Sequence, residues 1–240
     1  MFLEYIIDNF LLIYLMEVGA AVAGSIYLRK IAFPEKGVRI FVYYLWLVVF
    51  VEFVGLYPSY AYFNDYNRLG FIKGTLFERN FWWYNSYTVL KFIAFYIFFI
   101  LQLNPSAKRR KLYAISGFVI LSLIIDQIFS GEYFKSSSAY MAIAGTLYLV
   151  ILILLYHYEI LKSERILEFY KSVPFYISIG LLIWHVTITP VLIYNKYFSL
   201  QSPDFLYFQK VLLKSINIFL YGILILGFMV CTKKRQNVSL

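Results

Sequence analysis

Glu17, Glu52, Lys91, Asp126, His185 and Lys214 are ionisable residues set inside long apolar runs. At the centre of a bilayer such a charge costs roughly 2.5–3.5 kcal/mol on insertion scales, so it calls for a partner or a hydrated cavity. Acids and bases are nearly balanced within this set, which points to mutual pairing. In the last run, residues 207–231, Lys214 is followed by Asn217 and Tyr221 at steps of three and four, so the three share one helix face. Trp184 sits beside His185. Together Lys214, Asn217, Tyr221, Glu17, Glu52, Lys91, Asp126, His185 and Trp184 form the candidate ligand-binding set. Lys214 is expected to be its electrostatic centre, paired with Glu17, Glu52 or Asp126. The chemistry on offer is recognition of a small polar molecule or ion, with an equal prior for ion pairs that only fix the bundle.

Catalytic patterns are missing. The chain has no GxSxG, HExxH, phosphate-loop or kinase motif. His157 and His185 are its histidines and Cys231 its one cysteine, so a three-histidine zinc centre, a cysteine metal cluster and an internal disulfide are all excluded. The expectation is a protein with no enzymatic activity, no metal and no cofactor.

What must position these residues is an all-α, polytopic membrane bundle. Hydrophobic residues make up 62% of the 240, charged ones 15%, and the mean hydropathy is +0.71, far from the composition of a soluble domain. Apolar runs mark seven transmembrane helices in one domain, at about 6–28, 40–62, 81–103, 112–130, 138–161, 173–198 and 208–231. The net charge of +9 is read through its placement, and no nucleic-acid partner is expected. Basic residues gather after the first, third and fifth spans and in the tail, with Arg29, Lys30, Lys36 and Arg39, then Lys108 to Lys111, then Lys162, Arg165 and Lys171, then Lys233 to Arg235. The positive-inside rule then gives an N-out, C-in protein of the inner (plasma) membrane, with the lipid bilayer as its first partner.

Other features refine that bundle. Gly19, Ala20, Ala23 and Gly24 give the first helix a small-residue face for close packing. Pro58 and Pro190 are candidate kinks whose freed carbonyls could line a cavity. Aromatic residues crowd the outer helix ends, among them Tyr57, Trp82, Trp83 and Tyr84, as an interfacial belt or an aromatic mouth. AVAGSIYL at 21–28 is matched by AIAGTLYL at 142–149, and VLKFI at 89–93 by LLKSI at 212–216. The pairs would relate helices one to three to helices five to seven, although the depths of the first pair disagree and chance matching of apolar segments is the better account.

Two functions fit this pattern. The first is an integral membrane sensor, with an outward-facing polar site and a cytoplasmic signalling protein as partner, since the inner loops are too short to hold an output domain. The alternative is a small-solute or ion-coupled transporter of three-plus-one-plus-three type. A structural subunit of a membrane complex is the remaining option.

The lysine in the seventh span and the aromatic-proline feature of the sixth resemble microbial rhodopsins. However, Lys210 stands where those proteins carry an aspartate, and Lys91 is the only charge of the third span, so no retinal is implied. The stretches ISIGLLIWH, KSINIFLYGILILGF and FWWYNSYTVLKFIAFYIFF resemble seven-helix inner-membrane proteins of Bacteroidota type. That resemblance implies the fold and brings no function with it.

Overall fold

The computed structural model describes residues 2–197 and 203–237. All regular structure among them is helical: α1 (Phe2–Asn9), α2 (Leu11–Lys30), α3 (Lys36–Gly55), α4 (Tyr57–Phe63), α5 (Phe81–Gln102), α6 (Ala107–Phe129), α7 (Ala139–Leu161), α8 (Val173–Tyr197) and α9 (Pro203–Asn237), with short 3₁₀ turns between some of them. Seven segments are long and apolar enough to cross a membrane: α2, α3 with α4, and α5 to α9. The protein is therefore a multi-pass membrane protein. Large apolar side chains such as Phe53, Phe118, Leu147 and Met229 stand exposed on the outside of the bundle, where lipid would cover them.

The helices are laid out in two arcs, α2–α3–α5 and α7–α8–α9, joined where α5 packs on α7 and α9 packs on α2. The remaining span, α6, rests on α5 and α7 at the periphery. One end of the bundle carries the 63–80 and 130–138 connections; the other carries the 31–35, 103–106 and 162–172 connections.

Close approach holds the arcs together. Ala20 and Ala21 are fully buried, and a Cβ on Gly24 would lie 2.8 Å from Val42 of α3 and 3.2 Å from the Phe228 ring of α9. The small-residue face of the first span is thus a packing face, as its spacing predicts. At the 103–106 end the interior is filled by Tyr27, Phe41, Phe98, Phe99 and Phe228, all buried, with Phe41 and Phe98 centroids 5.3 Å apart. Cys231 is a buried thiol in the same region.

Several boundaries move. The first span does not begin at Ile6: α1 is a separate amphipathic helix with no buried residue, and α2 starts only at Leu11. Phe2 of α1 meets Tyr60 edge-on, with ring centroids 5.5 Å apart, and Lys210 of α9 donates to Asn9 at 2.6 Å. The basic run at 108–111 is already helical, as the first turns of α6. The second span breaks at Leu56, and Pro58 occupies the first turn of α4, where its missing N–H costs nothing. Helix α8, by contrast, runs through Pro190. The expected end of the sixth span at Phe198 lies outside the described residues.

The 63–80 connection is built rather than loose. Glu78 accepts hydrogen bonds from the Gly74 amide and the Tyr66 hydroxyl, both at 2.9 Å. The amide bond, then the hydroxyl, hold its carboxyl below the usual range. Tyr66 itself has a positive φ of 59°, and its ring carries the Lys73 ammonium 5.2 Å from the centroid.

Candidate functional site

The ionisable residues of the spans do not converge into one network; they separate into two clusters and two outliers. The first cluster joins α2, α3, α5 and α9. Glu17 is buried and lies within electrostatic reach of Glu52. The Tyr84 hydroxyl donates to Glu52 at 2.9 Å, and Tyr221 is buried on α9, which packs on the α2 helix that carries Glu17. Tyr14, one turn before Glu17, lies close to both carboxyls. Tyr44 and Tyr87 share a hydrogen bond of 2.7 Å at its edge. Among the described residues no lysine or arginine forms an ion pair with either carboxyl.

The local reasons are helical spacing and the break in the second span. Tyr84, Tyr87 and Lys91 recur at steps of three and four on α5, which aligns them along one face. Carbonyls beside the break receive side-chain donors: Trp83 Nε1 donates to Val51 at 2.9 Å and Asn80 Nδ2 to Gly55 at 2.7 Å. Trp82 in turn donates to the Tyr57 hydroxyl at 3.0 Å. These aromatic residues therefore brace the helix break as well as standing at its rim. Above them a groove of about 420 Å³ opens at the 63–80 end, lined by Tyr5, Pro58, Ser59, Tyr62, Glu78 and Arg79 among others. Tyr5 of this groove packs edge-on against Phe10, which stacks on Tyr14, with centroids 5.6 Å and 5.9 Å apart.

The second cluster joins α5, α7, α8 and α9. His185 is 2% exposed, and its Nδ1 lies 3.0 Å from the Thr146 hydroxyl. Thr189 donates to that same hydroxyl at 3.3 Å. Trp184 Nε1 donates to Asn217 at 2.8 Å. Lys91 is half-buried, with its ammonium 5.0 Å from the Phe92 centroid and 5.4 Å from that of Trp184. A cation over an aromatic face recovers about 0.5–2 kcal/mol, less than the roughly 2.5–3.5 kcal/mol that a central lysine costs on insertion.

Lys214 and Asp126 stand outside both clusters, which corrects the expected pairing. Lys214 is half-buried on α9 and, among the described residues, meets no carboxylate within ion-pair distance. Asp126 lies on peripheral α6 and accepts from Ser138 at 2.5 Å; Ser138 also caps α7 by accepting from Met141 at 3.1 Å. The physical reason is depth and side. Lys214 is only half-buried where Tyr221 on the same helix is buried, and α6 packs on neighbours that α9 does not share. Lys214→Met should consequently change stability by less than about 1 kcal/mol. A double-mutant cycle of Lys214→Met with Glu17→Gln, read as thermal unfolding in detergent, should give additive effects.

Three tyrosines and a threonine of the clusters, Tyr14, Tyr44, Tyr87 and Thr146, were not among the sequence candidates, and Tyr84 was named only for its ring at the helix end. Their signal is the helical step: Tyr14 is three residues before Glu17, and Tyr87 four before Lys91. The described residues contain no group of three or more His, Cys, Asp or Glu side chains that could hold a metal ion.

No family model, no characterised protein and no solved structure matches this chain. The reading of its function rests on the arrangement itself. Two carboxyls ringed by hydroxyls offer acceptors and negative charge to a cation, whereas the Lys91–His185 cluster offers donors and positive charge.

Proposed function

We propose that the protein is a receptor-like sensor of the inner membrane, N-terminus outside, that binds a small cation at Glu17 and Glu52 and signals to a cytoplasmic protein. The observation that carries this reading is the pair of neighbouring acids with no basic partner among the described residues. Two uncompensated carboxylates in a bundle interior repel each other, and an external cation relieves that repulsion. The placement of Lys and Arg supports an orientation in which the 63–80 end, with its groove, faces outward. Filled aromatic packing at the opposite end supports a site reached from one side only.

One observation favours a second reading, transport. The two arcs α2–α3–α5 and α7–α8–α9, with α6 outside them, follow the order expected of a three-plus-one-plus-three protein. In each arc the glycine of the matched motif is covered by a phenylalanine from the last helix of the other arc, Phe228 over Gly24 and Phe92 over Gly145. The two glycines differ in depth by about two turns, which a duplication would have to absorb.

Methylammonium, a small cation that stays protonated at neutral pH, separates these readings. Saturable binding to purified protein without uptake into proteoliposomes supports sensing, and uptake that disappears in Glu17→Gln supports transport. Absence of saturable binding for methylammonium, sodium and tetramethylammonium alike would overturn the cation site itself.

A further inference from the structure

We infer that Lys91 and His185 form a binding site for a small anion, a halide or the carboxylate of a small acid, distinct from the acidic cluster. Three observations converge on it. Lys91 has no carboxylate within ion-pair distance among the described residues, so its charge is unbalanced within the bundle. His185 is 2% exposed, yet its Nε2 has no hydrogen-bond partner. Both groups flank the same two rings: the His185 ring lies 4.7 Å from Trp184 and 5.9 Å from Phe92, and Lys91 stands over those two rings as well.

Thr189 donates to Thr146, whose hydroxyl lies 3.0 Å from His185 Nδ1 and can donate to it. With Nδ1 accepting, a neutral imidazole must carry its proton on Nε2. The unpartnered atom is then a buried donor, and it needs an acceptor. An anion between this N–H and the Lys91 ammonium satisfies both at once, with charge-assisted hydrogen bonds to each. Asn217 is held by Trp184 through its oxygen at 2.8 Å. The Lys91 ammonium already stands over the rings of this site and repels a second cation, which separates it from Glu17 and Glu52.

The test uses the full chain in detergent, exchanged into sodium gluconate and titrated with sodium chloride, sodium bromide or sodium acetate at constant sodium and ionic strength. Thermal unfolding should rise saturably with at least one of these anions, by about 3–6 °C at ten times the dissociation constant. Lys91→Met and His185→Phe should each weaken the half-saturation at least tenfold, while Glu17→Gln leaves the anion response intact. Lys91→Gln serves where Lys91→Met does not fold. A flat wild-type response to all three anions would mean that His185 Nε2 is met by water, and the proposal fails. Equal responses in wild type and in the folded variants would also sink it, as a general salt effect.

Discussion

Gly145→Ala is expected to destabilise the bundle by about 1–3 kcal/mol, the usual cost of forcing an extra carbon into a packed core. A Cβ at this position would lie 2.3 Å from Phe92 Cε2 and 2.4 Å from its Cζ, far inside van der Waals contact. Phe92 has nowhere to go. It is 1% exposed, stacks on Tyr96 with centroids 5.8 Å apart, and borders His185 on another side. Tyr96 in turn donates to the Gly145 carbonyl at 2.9 Å, so the methyl group would push apart the contact that joins the two arcs. Thermal unfolding in detergent should show a melting temperature lower by several degrees. Phe92→Leu, which removes the obstructing ring atoms, should recover part of the loss when combined with Gly145→Ala. Unchanged stability in the single variant would mean that α5 and α7 do not approach as described.

The helical bundle was legible because membrane spans are written in long apolar runs, and these runs need no partner to be recognised. Helix α7, from Ala139 to Leu161, matches its expected limits within one residue. Breaks were harder to read: the interruption at Phe10 has no proline or glycine to announce it, and Pro58 marked the second break without showing that the helix restarts there. In the candidate site, Glu17, Glu52 and Tyr221 do come together, and so do Lys91, Trp184, His185 and Asn217. What the sequence could not supply was rotation and side. Lys214 shares a face with Asn217 and Tyr221 by spacing, yet among the described residues it forms no ion pair with an acid. Asp126 belongs to the peripheral helix. Tyrosine hydroxyls were overlooked because in a chain with 24 tyrosines no one of them stands out until its neighbours are known.

The second large effect concerns the acids. Glu17→Gln and Glu52→Gln keep an acceptor for Tyr221 and Tyr84 and remove a charge that has no basic partner, so neither should lower the yield of folded protein. Charge reversal goes further: Glu52→Lys would set an ammonium beside Glu17 and supply from within the chain the cation that the site otherwise takes from outside. That variant should fold, and it should no longer respond to external cations. The contrast with Gly145→Ala is informative, since packing loss lowers stability under all conditions, whereas acid neutralisation changes only the response to a ligand.

The most direct measurement is therefore the melting temperature of the detergent-purified chain as a function of methylammonium gluconate, compared among wild type, Glu17→Gln, Glu52→Gln and Glu52→Lys at constant ionic strength. A saturable rise of about 3–6 °C at ten times the dissociation constant in the wild type, absent from all three variants, is the predicted result. A wild type that does not respond, or variants that respond as the wild type does, would contradict the assignment of Glu17 and Glu52 as a cation site.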